Sequence, residues 1–138
     1  MSVPKGKRNQ SKLKVLTNAN ELAAYTLKIC SNEKSFPKRY RWCITNKIVE
    51  TSLDISNHIN IANSIYVTTP EDYRLRRKHQ VEALASTYSL LTMIDIAFRT
   101  FDIDSKRIEH WTGLIIEVQD LIRSWKNSDT ERYEEYKG

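Results

Sequence analysis

The stretch FPKRYRWCITNKIVETSLDISNHINIANSIYVTTPEDYRLRRKHQVEALASTYSLLTMIDIAFRTF, residues 36–101, decides the fold. It contains two long helical patterns joined by a short loop, and basic residues cluster near the beginning of each pattern. Such a pattern favours a rigid helical bundle that presents positive charge, and it does not indicate a pocket for catalysis. Charge arrangement and assembly are therefore the features expected to carry function.

Apolar residues repeat every three or four positions along four segments, which is the periodicity of amphipathic helices. Short connections make sequential helices antiparallel neighbours. The sequence thus predicts an all-α, up-down-up-down antiparallel four-helix bundle over residues 15–127. The four apolar series are Leu22, Ala23, Thr26, Ile29 and Cys30; then Ile44, Ile48, Thr51, Ile55, Ile59, Ala62 and Tyr66; then Val81, Leu84, Tyr88, Leu91 and Phe98; and lastly Ile108, Trp111, Ile115, Val118, Ile122 and Trp125.

Local signals predict where the helices begin. Asn18 with Glu21 three residues later has the spacing of a capping box, so the first helix is expected to start there. Pro37 suits the first turn of the second helix, where a missing N–H costs little. Thr69 followed by Pro70 is expected to begin the third helix.

Composition indicates one domain of a cytoplasmic protein. Only three glycines and three prolines occur in 138 residues, as expected for long helices. No run of eighteen apolar residues is present, and the N-terminus is too polar for a signal peptide, so no membrane contact is expected. Cys30 and Cys43 fall in apolar surroundings and are predicted to be two buried, reduced thiols.

The net charge of +5 is placed unevenly along the chain. Residues 1–14 contain no acid, and we predict that they form a basic N-terminal arm that contacts phosphate groups. A disordered segment that only aids solubility is the alternative. Residues 128–138 are predicted to be a polar C-terminal tail. The basic residues of the arm are Lys5, Lys7, Arg8, Lys12 and Lys14.

Two further groups of cations lie near helix starts and are candidates for contact with nucleic acid. No base-reading motif is present, so recognition would be of backbone and shape. The alternative is that both groups are ordinary solvated faces. The candidates are Lys38, Arg39 and Arg41 in the second helix and Arg74, Arg76, Arg77 and Lys78 in the third.

A second apolar set lies beside the main stripes. One bundle core needs one stripe per helix, so the surplus favours a homo-oligomer, with a wide core as the alternative. The predicted interface residues are Trp42, Val49, Leu53, Leu114 and Leu121.

No catalytic residue, metal site or cofactor is predicted. The three histidines fall on different helices: His58, His79 and His110. No carboxylate or cysteine is expected at metal-ligand spacing from any of them. Asp95 is expected to pair with Arg99 four residues later. The second helix also contains a ladder of asparagines, Asn57, Asn60 and Asn63. These side chains could form hydrogen bonds at an interface or face water, and the sequence pattern does not decide between the two.

Two other functions stay open. Arg74 and His79 are separated by four residues, a spacing that resembles the Arg-x4–6-His signature of the HEPN ribonucleases, although Leu75 stands where that family prefers a polar residue. A general protein-interaction bundle is the remaining alternative.

The runs FPKRYRWCITNKIVETSLDISNHINIANSIY and RRKHQVEALASTYSLLTMIDIAFR resemble the accessory variability determinant proteins of diversity-generating retroelements. These proteins belong to a group of small four-helix bundles that includes the ribosomal intervening-sequence proteins. The likeness spans residues 12–127 and rests on helix lengths, on Phe36-Pro37 and on the basic start of the third helix.

The resemblance implies a non-enzymatic accessory subunit that assembles as a homopentameric barrel. Such a subunit would bind the reverse transcriptase together with RNA or cDNA, and it would support mutagenic reverse transcription. By the same resemblance, the two cation groups are the candidates for these contacts.

Overall fold

The computed structural model describes the backbone of residues 5–136 and the side chains of residues 14–136. Over this range the chain forms four α-helices and no strand, which confirms the predicted all-α, four-helix fold. A 3-10 turn (Lys38–Tyr40) and a π-helical turn (Arg41–Thr45) lead into the second helix, and a 3-10 turn (Glu134–Tyr136) follows the fourth. The helices are α1 (Lys5–Cys30), α2 (Asn46–Ser64), α3 (Pro70–Thr100) and α4 (Ser105–Arg132).

The first helix begins earlier than the sequence predicted. It starts at Lys5, so the prediction of a start at Asn18 was wrong. Val15 and Ala19 are buried in series with Leu22, so the apolar face of α1 continues upstream of the capping-box residues. An apolar face that can be buried outweighs a local capping signal, which contributes only about 1 kcal/mol.

The start of α3 is the one that the sequence predicted. The Thr69 hydroxyl accepts the Asp72 backbone N–H at 3.1 Å, and Pro70 occupies the first turn. Asp72 in turn accepts the backbone N–H and the hydroxyl of Thr68, each at 3.1 Å. These hydrogen bonds to the ionised carboxylate hold the pKa of Asp72 below its ordinary value.

The buried face of α4 matches the prediction, whereas that of α3 does not. Val81 and Tyr88, predicted to face the core, are 44% and 49% exposed. The core is instead lined by a face one position away, which mixes small, apolar and polar residues. That face consists of Tyr73, Arg76, Gln80, Ala83, Thr87, Leu90, Ile94 and Ala97.

Polar residues in the α3 core explain this error. The Gln119 amide donates to the Thr87 hydroxyl at 3.1 Å, and the Gln80 amide donates to the Asp129 carboxylate at 2.8 Å. Buried polar groups are tolerated when they are hydrogen-bonded in this way. A hydropathy pattern assigns such residues to the surface, so it selects the wrong stripe.

An ion pair joins the beginning of α3 to the end of α4. Arg76 is 1% exposed, and its Nε and Nη2 donate to Asp129 Oδ2 and Oδ1 at 2.6 and 3.0 Å. Its Nη1 lies 3.4 Å from the carbonyl oxygens of Ala62 and Ile65, where α2 ends. The guanidinium carbon lies 5.2 Å from the centre of the Trp125 ring. One side chain therefore connects three helices.

The end of α4 extends beyond the predicted bundle boundary at residue 127. The helix runs to Arg132, and both Asp129 and Tyr133 are buried. The beginning of the segment predicted as a polar tail is therefore part of the packed structure.

The second helix ends before the last residue of its predicted stripe. Its backbone becomes extended at Ile65, and Tyr66 is 85% exposed. Tyr66 was therefore wrongly placed in the core, because the helical periodicity stops at Ser64.

The two cysteines occupy different environments, and the prediction that both are buried was wrong for Cys43. Cys30 belongs to the core, where burial raises its thiol pKa to about 12. Cys43 is exposed on the π-helical turn beside Trp42, because this face of the turn points away from the core.

By length and composition alone, α3 contains a window apolar enough to cross a membrane. The same helix supplies Ala83, Leu90 and Ile94 to the core and carries the ion-paired Arg76. About 28% of that window is buried inside the structure. The expected lack of membrane contact stays a prediction.

Replacing Asp129 by Ala should lower the free energy of unfolding by about 3–5 kcal/mol, because it leaves the Arg76 charge buried without its partner. Urea denaturation followed by circular dichroism measures the change. The matched control is Asp120→Ala, which removes a surface partner of Arg123 and should cost no more than about 1 kcal/mol.

The double variant Arg76→Met/Asp129→Leu separates the cost of an unpaired charge from the cost of lost packing. It should recover most of the stability lost in Asp129→Ala, because neither charge then remains buried. Equal stability losses in Asp129→Ala and Asp120→Ala would contradict a structural role for the buried pair.

Thiol labelling should distinguish the two cysteines. At neutral pH a maleimide should modify Cys43 rapidly and Cys30 only after unfolding, because the raised pKa and the burial of Cys30 suppress its thiolate. Mass spectrometry with and without denaturant gives the stoichiometry, and Cys43→Ser serves as the control. Rapid double labelling of the folded protein would show that Cys30 is accessible.

Candidate nucleic-acid interface and histidine cluster

The cations predicted at the start of α3 do not share one environment. Arg74 is exposed and lies 3.2 Å from Glu71, and Lys78 is exposed. Arg77 is half-buried, and its Nη2 donates to the Tyr73 hydroxyl at 2.7 Å. Arg76 was predicted to contact nucleic acid, but its burial against Asp129 removes it from the surface.

Three cations from α3 and α4 lie close together. Arg77 also donates to the Lys126 carbonyl oxygen at 3.3 Å and to the Thr130 hydroxyl. The pKa of Lys126 is lowered, first by its partial burial and then by the positive charges of Arg77 and Arg123. The positive charges of Arg77 and Arg123 thus add to an effect of which burial is the largest part.

Arg123 adds an aromatic contact to this group. Its guanidinium carbon lies 5.7 Å from the centre of the Tyr88 ring, its Nη2 donates to the Tyr88 hydroxyl, and its Nη1 lies 3.3 Å from Asp120. We call the combined set the basic surface. It consists of Arg74, Arg77, Lys78, Arg123 and Lys126.

The cations before α2 are exposed, and two of them share one acid. Lys38 Nζ and Arg41 Nη2 lie 3.9 and 4.0 Å from Glu33 Oε1. The guanidinium of Arg39 lies 5.0 Å from the centre of the Tyr40 ring. Glu33 offsets part of the charge of this group, as Glu71 and Asp120 do for Arg74 and Arg123 in the basic surface.

Of the basic N-terminal arm, the structure describes the side chain of Lys14 alone, and it is exposed. The backbone is helical from Lys5. The side chains of the other cations predicted in the arm lie outside the described residues; these are Lys5, Lys7, Arg8 and Lys12.

The residues predicted for an oligomer interface divide into two groups. Trp42 is 83% exposed, and Leu53 is also exposed. Val49, Leu114 and Leu121 are half-buried and pack against the core. The exposed pair is therefore the part of the set most available to another subunit.

Two of the three histidines meet between α2 and α3. His58 Nδ1 lies 3.0 Å from His79 Nδ1, and the two rings stack with centroids 5.2 Å apart. Glu82 Oε2 lies 3.2 Å from His58 Nδ1 and 3.9 Å from His79 Nδ1. We call His58, His79 and Glu82 the histidine cluster. All three are half-buried.

This cluster corrects the prediction that no histidine has a carboxylate at ligand spacing. His79 and Glu82 are three residues apart on α3, so they share a helix face. His58 reaches them from α2, a contact that cannot be deduced before the register of the two helices is known. The i, i+3 pair of His79 and Glu82 was the sequence signal that could have revealed two of the three residues of the cluster.

Several other predicted features now have defined surroundings. Asp95 accepts from Arg99 Nε at 3.0 Å on the surface, which confirms the predicted pairing. Arg74 contacts Glu71, whereas His79 contacts His58, and the ribonuclease alternative stays a hypothesis. Among the asparagines Asn57 and Asn60 are exposed, and Asn63 is half-buried.

A cleft of about 370 Å³ opens between α1 and α4. Its walls include Tyr25, Lys28 and Arg107, and the Tyr25 hydroxyl donates to the Arg107 carbonyl oxygen at 3.3 Å. Partial burial raises the pKa of Tyr25, an effect that Arg107 opposes and Asp104 adds to. The described lining of the cleft contains no carboxylate and no thiol, and its titratable side chains are those of Tyr25, Lys28 and Arg107.

Comparison with known proteins identifies no relative: no family model, curated protein or solved structure matches the chain. The resemblance to retroelement accessory proteins therefore stays a prediction, and the functional argument depends on the geometry of this chain.

Proposed function

We propose that this protein is a non-enzymatic accessory subunit of a diversity-generating retroelement. In this role it binds RNA or cDNA through the basic surface, docks the reverse transcriptase and acts in the cytoplasm. The link to a retroelement comes from the sequence resemblance, and the link to nucleic acid is supported by the placement of charge.

The observation that carries the nucleic-acid proposal is the grouping of Arg77, Arg123 and Lys126. Burial is the first cause of the lowered pKa of Lys126, and repulsion by Arg77 and Arg123 adds to it; a phosphate bound nearby would relieve that repulsion. Tyr88 beside Arg123 is half exposed and provides an aromatic face for a base.

We propose an antiparallel arrangement, which places the end of α4 beside the start of α3. The cross-helix contacts support this order. Arg76 contacts Asp129, whereas Thr87, further along α3, contacts Gln119, which is earlier in α4. Between α1 and α4, likewise, Asn18 contacts Glu117, and Thr26 contacts Trp111.

A homo-oligomeric barrel, specifically a pentamer, is the proposed assembly. Trp42 supports it, because a tryptophan that is 83% exposed is unusual on a monomer and typical of an interface anchor. Leu53, on the same helical segment, and other exposed apolar side chains add apolar area that a subunit interface could bury. Repetition of the basic surface around a ring would raise its avidity for one nucleic-acid strand.

The triple variant Lys78→Gln/Arg123→Gln/Lys126→Gln should bind single-stranded RNA at least tenfold more weakly than the wild-type protein at low salt. The slope of log affinity against log salt concentration should also become less steep by about 2, because each lost phosphate contact reduces that slope by about 0.7. Fluorescence anisotropy at several salt concentrations measures both quantities.

The matched control removes three exposed cations elsewhere on the chain, Lys28→Gln/Lys47→Gln/Arg99→Gln, with the same change of net charge. It should leave most of the affinity intact. Equal losses in both triple variants would show that net charge governs binding, and no binding by the wild-type protein would remove the nucleic-acid proposal. Circular dichroism confirms that each variant is folded.

Light scattering after size exclusion should give a discrete oligomer near five subunits for the wild-type protein. Trp42→Ser should shift it toward smaller species, because the substitution removes the main exposed aromatic anchor. Tyr66→Ser is the matched control, since Tyr66 is equally exposed at the other end of α2. A wild-type monomer would contradict the assembly.

A further inference from the structure

The histidine cluster has the dimensions of a tetrahedral metal site. Its three ligand atoms are 3.0, 3.2 and 3.9 Å apart. A triangle of these edges has a point just above its plane that lies about 2.1 Å from every corner. That distance is the bond length of zinc to imidazole nitrogen and to carboxylate oxygen.

The hydrogen-bonding capacity of the three groups also favours a cation. His58 Nδ1 lies within reach of both His79 Nδ1 and Glu82 Oε2, yet a ring nitrogen carries at most one proton. Without a metal, a single proton on His58 Nδ1 can satisfy only one of the two contacts. A cation between the three atoms accepts a lone pair from each of them at once.

The donor set narrows the choice of metal. Two imidazoles and one carboxylate suit zinc and neighbouring first-row transition metals, whereas magnesium and calcium prefer oxygen ligands alone. Three protein ligands leave a fourth position for water. The side chains of His58, His79 and Glu82 are 25%, 17% and 40% exposed, so solvent can reach that position.

We propose that His58, His79 and Glu82 bind one zinc-class divalent ion per chain and so connect α2 to α3. Such a site is independent of the proposed binding of nucleic acid, because none of its ligands belongs to the basic surface. The ion would fix the register of the two helices midway along their contact.

Metal binding to the full chain without RNA tests this inference. After chelator treatment, titration with Zn²⁺ by calorimetry should give one site per chain, and Co²⁺ should produce the visible bands of tetrahedral coordination. Zn²⁺ should also raise the melting temperature, because the three ligands come together only in the folded state.

Single substitutions locate the site. His58→Gln, His79→Gln and Glu82→Gln should each weaken Zn²⁺ binding by at least about 100-fold, since loss of a mere supporting residue already costs about 10–100-fold. His110→Gln is the matched control, because His110 is exposed on α4 and lies outside the cluster; its affinity should equal that of the wild-type chain.

Circular dichroism and the melting temperature without metal establish that the variants fold. The proposal is overturned if the folded wild-type chain gives neither Zn²⁺ heat nor Co²⁺ bands. It is also overturned if His110→Gln weakens binding as much as His58→Gln. Loss of RNA binding in the basic-surface variants has no bearing on either result.

Discussion

The buried ion pair between Arg76 and Asp129 is the constraint on which the arrangement of the helices depends. Two charges removed from water are stable only when geometry and hydrogen bonds are nearly complete, and here Gln80 and the α2 carbonyl oxygens supply the remaining partners. Any shift of α3 along α4 would break several of these bonds together. The pair thereby fixes the register of α3, and that register brings His79 to His58 and Arg77 to Lys126.

The same ion pair explains which features of the fold could be predicted from the sequence and which could not. The number of helices and the buried face of α4 follow from apolar periodicity, and both were predicted. The cap at Thr69 follows from the residue types at the start of α3, and it was also predicted. The core face of α3 was not, because Arg76, Gln80 and Thr87 are polar and their partners lie on other helices. Arg76 was placed among the exposed cations for this reason. Residues far apart in sequence decide its environment, and no local pattern contains that information.

The basic surface and the histidine cluster also differ in how much of each could be predicted from the sequence. Clustered cations at a helix start are visible in the sequence, so most of the basic surface was predicted, although the contributions of Arg123 and Lys126 depend on helix pairing. The histidine cluster needs one ligand from α2 and two from α3, so it emerges only from the fold. A site whose residues lie on one helix can be predicted from the sequence. A site shared between helices can be predicted only when the register of those helices is known.

The π-helical turn at Arg41–Thr45 has a separate consequence for how this chain could diversify. A π turn holds one more residue than an α turn, so it rotates everything before it relative to everything after it. Ile48, Ile55 and Ile59 keep their place in the core, while Trp42 and Cys43 point outward. Substitutions at Trp42 and Cys43 therefore leave the buried isoleucines of α2 in place, so this exposed face can change while the core is kept.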